Sequence, residues 1–350
     1  MDKMKKFVLT CVIILLVIVI GGAGYGWLQM QPTSASEQAK EVQIKQGMGT
    51  SKIADVLEQE GLIKNSLIFK VYLKVNKEGS KFKAGKYALT PGLTYQEIIA
   101  KLNAGDVIPD EVIRFTIPEG YTINQIADKL SADHQVDRAE FLNLVDDAAA
   151  FKLPAPTVIP TDAKLIHQLE GYLFPETYEL KKGSTAKDMI QRMLNELDKK
   201  LATLPSDWEQ KMKAQNLNFH QLMTVASLIE REVVVDSERG LVAGVIYNRL
   251  KQNKPLQIDA TIQYLFDKPK DRLYNKDLKI ESPYNTYLHD GLPPGPIASP
   301  SLASIEAALN PEPSKYLYYV TKKDGSQSHL FAVTYKEHLE NIKKSKEMAK

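Results

Sequence analysis

The stretch "TVASLIEREVVVDSERGLVAGVIYNRL", Thr224–Leu250, begins as an amphipathic helix and places two acids beside a row of aliphatic side chains. A helical period of about 100° per residue gathers those aliphatics into one stripe. The stripe consists of Leu222, Ala226, Ile229 and Val233. Glu230 and Glu232 then lie on opposite flanks of the stripe, each about 80° away from it, and Arg231 points to solvent. At most one of the two carboxylates therefore faces any single cleft along this helix.

An acid in this position has two interpretations. A carboxylate that borders an apolar pocket has a raised pKa and can serve as a general acid near neutral pH. A boundary glutamate that pairs with a lysine or arginine only supports the fold. Helix geometry alone does not choose between Glu230 and Glu232.

The chain after this helix carries polar groups that suit a sugar-binding cleft. The β-branched run Val233–Val235 predicts a helix end, and Asp236 or Ser237 is expected to cap a second helix. If the segment "KPLQIDATIQYLF", residues 254–266, forms a strand, Gln257 and Asp259 share one face of it. Five residues are candidates for positioning a glycan: Asn248, Gln257, Asp259, Tyr284 and Asn285.

Two further elements are predicted near the C-terminus. In "DGLPPGPIASPSLASIEAALNP", Pro300 occupies a plausible first helical position after Ser299. The segment "KYLYYVTKKDGSQSHLFAVTY", residues 315–335, reads as a hairpin with Asp-Gly at its turn, followed by a polar terminal helix.

The N-terminus predicts a membrane anchor. Lys3, Lys5 and Lys6 precede an uncharged apolar run over residues 7–28, and about 20 such residues span a bilayer as a helix. The positive-inside rule places residues 1–6 in the cytoplasm and the rest of the chain outside the cell membrane, as a single-pass protein. The rival interpretation is a signal peptide cleaved near Pro32–Ser36, but the apolar run is longer than a signal peptide requires.

The first half of the outer region reads as a linker and a small mixed region. Residues 29–40 are polar and small, and residues 41–156 suggest strand–helix–helix–strand units similar to a LysM domain, a glycan-binding module. The sequence "IADVL" at residues 53–57 returns as "IADKL" at residues 126–130, either as a repeat or by coincidence of helix composition. A spacer without a ligand is the alternative role. Residues 157–350 read as a helix-rich catalytic domain, so the predicted fold class is α+β.

Composition excludes several functions. Of the 350 residues, 45 are lysine or arginine and 43 are aspartate or glutamate, so the net charge of +2 provides no basic field for nucleic acid. The six histidines and the single cysteine, Cys11, show no metal-ligand spacing. We therefore expect no metal, no cofactor and no disulfide.

Five motifs carry a family resemblance: "EGYLFPETY", "ASLIERE", "SERGLVAGVIYNRL", "PLQIDATIQY" and "SPYNTYLHDGLPPGPIASP". In this order, and over most of the chain, they resemble the endolytic murein transglycosylases, the MltG or YceG-like family. The resemblance implies a membrane-anchored lyase that cuts MurNAc–GlcNAc bonds of nascent peptidoglycan and leaves 1,6-anhydro-MurNAc ends. It also implies that the first acid of the pair, Glu230, is catalytic. The implied partners are glycan strands, the cytoplasmic membrane and cell-wall synthesis proteins such as penicillin-binding proteins.

The sequence departs from the commoner family pattern at flanking positions. Val233 stands where threonine is usual, Ile258 and Ala260 stand beside Asp259 in place of serine and proline, and the proline-rich loop also differs at two positions. These departures concern subsite detail. Two other functions stay open: a hydrolytic muramidase that uses a second carboxylate, Glu238 or Asp259, and a peptidoglycan-binding scaffold without catalysis.

Overall fold

The computed structural model describes residues 2–109, 111–134, 136–160 and 164–349. It divides the chain into two compact units, residues 1–111 (unit 1) and residues 112–350 (unit 2). Both units mix helices with two-stranded antiparallel sheets, so the predicted α+β class is confirmed.

Unit 1 begins with one long apolar helix, α1 (Asp2–Met30). Its segment Phe7–Met30 has 24 residues, and an 18-residue window within it has a mean hydropathy of 2.9, so the segment is long and apolar enough to cross a membrane. The predicted span of residues 7–28 lies within this segment. The structure is therefore consistent with a single-pass anchor.

The rest of unit 1 is a small strand–helix–helix–strand fold with one added helix. Its elements are β1 (Lys40–Ile44), α2 (Thr50–Gln59), α3 (Ser66–Val75), β2 (Gly85–Leu89) and α4 (Tyr95–Ala104). Strands β1 and β2 pair antiparallel, and Val42 and Ile44 on the buried face of β1 share one core with both helices. Helix α4 ends at Gly105, whose left-handed φ of 74° suits a glycine at a helix C-terminus.

Unit 2 opens with a second arrangement of the same kind. Its elements are β3 (Val112–Thr116), α5 (Ile123–His134), α6 (Arg138–Val145) and β4 (Thr177–Lys181). The repeated sequence falls at matching places, because the isoleucine, alanine and leucine of residues 53–57 and of residues 126–130 are all buried. Strand β3 pairs with β4, although 60 residues of chain lie between the two strands. The predicted domain boundary at residues 156/157 consequently falls inside unit 2.

The remainder of unit 2 is a helical body with one hairpin. Its elements are α7 (Ala186–Leu201), α8 (Trp208–Ala214), α9 (Phe219–Glu232), α10 (Arg239–Lys251), α11 (Asp259–Gln263), α12 (Leu302–Leu309), β5 (Tyr318–Thr321), β6 (His329–Ala332) and α13 (Tyr335–Glu347). Helix α9 packs against α10, α11 and α12, and α13 packs against the β5–β6 hairpin. The predicted hairpin and terminal helix are confirmed.

Two predicted helix starts are wrong. A short 3-10 turn occupies Asp236–Glu238, and the Asp236 carboxylate accepts a hydrogen bond from Arg239 Nε at 3.1 Å instead of capping α10. Helix α12 begins at Leu302 and not at the predicted Pro300, because Ser301 caps it and its Oγ accepts from the Ser304 amide at 3.2 Å. Arg239 thus engages the first predicted cap, and a serine two residues after Ser299 takes the capping position in the second helix.

Candidate active site

Helix α9 holds both acids of the pair in fixed positions. Asn218 caps it in a reciprocal capping box with Gln221, and every residue from 219 to 229 except Gln221 is buried. The helix ends at Glu232, because Val233 has an extended backbone. The predicted break at the β-branched run is confirmed.

Glu230 lies among hydrogen-bond donors. Its Oε2 accepts from the Ser301 amide at 3.0 Å, the Ser301 hydroxyl at 2.5 Å and the Ser304 hydroxyl at 2.7 Å. Arg239 Nη1 lies 3.4 Å from the same oxygen. The Glu230 side chain is only 6% exposed. This carboxylate is a paired group that fastens α9 to the start of α12 and to α10.

Arg231 is exposed to solvent, as predicted, and it also makes a long-range hydrogen bond. Its Nη1 donates to the Gly120 carbonyl at 2.9 Å, which fixes the loop between β3 and α5 against the end of α9. Gly120 also donates its amide to the Ser299 carbonyl at 2.9 Å. Partial desolvation and the nearby Glu230 carboxylate raise the pKa of Glu119, which precedes this glycine.

Glu232 lies on the other flank of α9 and borders a cleft of about 460 Å³. Burial raises the pKa of Glu232 to about 7. A hydrogen bond from the Tyr319 hydroxyl, 2.9 Å from Glu232 Oε2, opposes this rise, whereas the negative charge of Asp259 adds to it. A carboxyl group whose pKa lies near neutrality can hold a proton before the reaction and release it during the reaction, as a general acid must.

Two of the predicted glycan-positioning residues line the same cleft. Gln257 has a left-handed φ of 53° and Asp259 starts α11, so the segment is not the strand that would have put both on one face. Both side chains nevertheless border the cleft and are exposed. The Asp259 carboxylate accepts a hydrogen bond from the Tyr287 hydroxyl at 2.5 Å.

The other three predicted residues brace the fold outside the cleft. Asn248 donates to the carbonyls of Ser314 and Tyr316 at 2.9 and 3.0 Å, which positions the segment before β5. Asn285 is fully buried and donates to two carbonyls of its own loop. Tyr284 is fully buried against the ring of Tyr264. None of the three borders the cleft beside Glu232.

Glu238 is already engaged by a histidine. Its carboxylate accepts from the His329 amide at 3.0 Å and lies 2.7 Å from His329 Nδ1. Of the two second carboxylates considered for a muramidase, only Asp259 therefore shares the cleft with Glu232. Within the described ranges, no three histidine, cysteine, aspartate or glutamate side chains are grouped as a metal site.

The far wall of the cleft is aromatic and comes from the C-terminal region. Tyr318 stacks on His338 with ring centroids 5.2 Å apart, and Tyr335 also borders the cleft. The Arg249 guanidinium lies 5.0 Å from the Tyr318 ring centroid and donates to the Leu256 and Leu317 carbonyls. These contacts join the hairpin to the loop before α11, so both sides of the cleft are held in place.

Comparison with known proteins decides the family. The YceG-like family profile matches residues 42–344. The chain belongs to the YceG-like family. This membership agrees with the resemblance of its five motifs.

Curated members of the family are similar over most of this YceG-like chain. The endolytic murein transglycosylase of Bacillus subtilis (strain 168) is 37% identical over 330 residues, which are 92% of this chain and 89% of the relative. The endolytic murein transglycosylase of Streptococcus pneumoniae (strain D39) is 34% identical over 97% of this chain, but the match spans only 65% of that relative. The crystal structure of a YceG-like protein from Listeria monocytogenes has 34% identity and a TM-score of 0.58, and it covers 87% of this chain and 99% of that one.

The sequence patterns did not predict several residues that line the cleft beside Glu232. Tyr319 and Tyr287 donate hydrogen bonds to its two carboxylates, and Arg249 and His338 shape its walls. The signal available for Tyr319 was the tyrosine-rich strand "YLYYV", which predicted only a hairpin. Tyr319 and Glu232 are 87 positions apart in the sequence, and a local pattern does not predict a contact between such distant residues.

Proposed function

We propose that this protein is an endolytic murein transglycosylase in which Glu232 is the general acid and then the general base. One observation carries the choice of residue: Glu232 borders the cleft with a pKa raised to about 7, whereas Glu230 is paired with Arg239 and three serine donor groups. The family membership and the names of the relatives support the substrate class, the glycan strand of peptidoglycan.

The proposed reaction needs one carboxyl group. Protonated Glu232 donates its proton to the glycosidic oxygen as the bond from that oxygen to C1 of MurNAc breaks. The MurNAc 6-hydroxyl attacks C1, and the Glu232 carboxylate takes the proton of that hydroxyl. The products are a GlcNAc 4-hydroxyl and a 1,6-anhydro-MurNAc end, and no water is consumed. Because the nucleophile is tethered to the substrate, the reaction gains the advantage of proximity.

The cleft supplies the electrostatics for both steps. Burial and the charge of Asp259 favour the protonated form that starts the reaction. The Tyr319 hydroxyl stabilises the carboxylate that is left after proton transfer. The aromatic wall of Tyr318, Tyr335 and His338 offers apolar faces beside the acid, and such surfaces are common in small-ligand clefts.

A hydrolytic muramidase is the second candidate, and a specific observation favours it. Asp259 lies in the same cleft as Glu232, and a second carboxylate is what a hydrolase uses to activate water or form a glycosyl intermediate. The two functions differ in the source of the nucleophilic oxygen. In transglycosylation it is the sugar 6-hydroxyl, and in hydrolysis it is water.

Digestion in water enriched in oxygen-18 separates these functions. Full-length protein in detergent would be incubated with uncrosslinked glycan strands, and the new ends would be analysed by mass spectrometry. We expect unlabelled anhydro ends, lighter than reducing ends by one water. Labelled reducing ends as the main product would show a muramidase, and no new ends from a folded protein that still binds the strands would show a scaffold.

Finer features of the same account are also proposals. The strand–helix–helix–strand order of unit 1 supports a LysM-like contact with glycan. The lysines before the apolar helix support an N-terminus in the cytoplasm and a catalytic unit outside the membrane. Such a position would place the enzyme beside strands as they emerge, where penicillin-binding proteins are the expected partners.

A further inference from the structure

The C-terminal end of the apolar helix is fastened to unit 1. Lys64 Nζ donates to the Leu28 carbonyl at 3.4 Å, and the Tyr95 hydroxyl donates to the Gln29 carbonyl at 3.2 Å. Met30 packs against the core of unit 1, and α1 contacts α3 directly. The last turn of the membrane-spanning segment is therefore part of the folded unit and is not a free tether.

Helix α3 presents an apolar row to its surroundings. Leu67, Val71 and Val75 recur at four-residue spacing, which puts them on one face of the helix. Their exposed fractions are 66%, 52% and 73%. The opposite face supplies Phe69 and Leu73 to the core. A surface helix of a soluble domain normally has polar residues on the face turned away from the core.

We infer that α3 lies on the membrane surface, with Leu67, Val71 and Val75 inserted at the boundary between lipid headgroups and acyl chains. The membrane is the surface inferred to cover this row because of where α3 starts. Lys64, two residues before α3, is bonded to the last turn of the apolar span. A ten-residue helix is roughly 15 Å long, so the whole row stays close to the bilayer. Lys74 is exposed beside the row, where its charge suits anionic headgroups.

This contact would fix the height and tilt of unit 1 above the bilayer. An anchor attached only at its end permits rotation, whereas a second apolar contact along α3 restricts it. The inference uses only contacts within unit 1, so it does not depend on the reaction proposed for unit 2.

Spin-label accessibility in nanodiscs tests the inference. Full-length protein with Cys11→Ala would carry a nitroxide at Val71→Cys, at Val75→Cys or, as a control, at Gln43→Cys. Gln43 is exposed on β1 between Val42 and Ile44, which point into the core shared with α3, so it faces away from the helical layer. Oxygen concentrates in the bilayer, and a water-soluble nickel chelate does not enter it.

The expected result is a several-fold higher ratio of oxygen to nickel accessibility at residues 71 and 75 than at residue 43. Equal ratios at all three positions would overturn the inference. Low accessibility to both reagents at residues 71 and 75 would also overturn it, because it would show that protein covers the row. Use of two positions on α3 keeps the test valid if one label disturbs the helix.

Discussion

Glu230 and Glu232 are two positions apart on α9, yet their carboxylates belong to different environments. Glu230 is held by Arg239, Ser301 and Ser304, and Glu232 borders the cleft with Tyr319. The two side chains leave opposite flanks of one apolar stripe, as the helical period predicts. One acid therefore joins α9 to its neighbouring helices, while the other borders the cleft.

Glu230→Gln should mainly lower stability. The substitution removes the buried one of the two carboxylates that pair with the buried Arg239, and loss of a buried partner costs about 3 kcal/mol. Denaturant unfolding of unit 2, followed by a probe within it, should show a lower midpoint. Asp236→Asn is the matched control, because Asp236 pairs with the same arginine but its side chain is 85% exposed. We expect it to cost less than about 1 kcal/mol, and an equal loss in both variants would contradict this assignment.

Tyr319→Phe should move the alkaline limb of the pH–rate profile to higher pH. The Tyr319 hydroxyl stabilises the ionised form of Glu232, so its removal raises the pKa of that carboxyl above about 7. A general acid with a higher pKa stays protonated to higher pH. Tyr318→Phe, at the adjacent position of β5, keeps the Tyr319 hydrogen bond and should leave the limb in place. A shift in the opposite direction would contradict the assigned role of Tyr319.

Asp259→Asn should move the same limb to lower pH. The charge of Asp259 raises the pKa of Glu232, and the neutral amide removes that effect. The variant should still form anhydro ends under the transglycosylase account. Loss of all cleavage together with labelled products in the wild-type protein would instead identify Asp259 as the second carboxylate of a hydrolase.

Stability should fall between about pH 4.5 and pH 8 because of Glu170. Burial raises the pKa of Glu170 to about 8, so the folded state keeps a proton that the unfolded chain releases at lower pH. The resulting stabilisation is complete below the ordinary glutamate pKa and is lost as pH rises through the folded value. Melting temperatures measured across this range should decline for the wild-type protein. The same series for Glu170→Gln should be flatter, and an unchanged slope would exclude Glu170 as the cause.

The sequence predicted those features that local spacing determines. Period and β-branching located α9 and its end near Val233, and the Asp-Gly turn located the β5–β6 hairpin. The repeated "IAD" segments lie in the two strand–helix–helix–strand units, and each segment buries the same three side-chain types.

Long-range contacts were beyond such patterns. The pairing of β3 with β4 and the approach of Tyr319 to Glu232 depend on packing between segments 60 to 90 residues apart. The same limitation applies to the surroundings of Glu230 and Glu232. Their opposite directions follow from the helix, but the elements that each one meets, α12 or the hairpin, follow only from the tertiary fold.

The most direct test of the account compares anhydro-end formation by Glu232→Gln and Glu230→Gln at equal concentrations of folded protein. Glutamine keeps the shape of either side chain but cannot transfer a proton. We predict that Glu232→Gln lowers the rate at least about 100-fold, the usual scale for the loss of general acid–base catalysis. Glu230→Gln, assayed without denaturant and below its own melting temperature, should keep most of the activity. Near-normal cleavage by Glu232→Gln together with loss of cleavage in folded Glu230→Gln would contradict the account and return the catalytic role to Glu230.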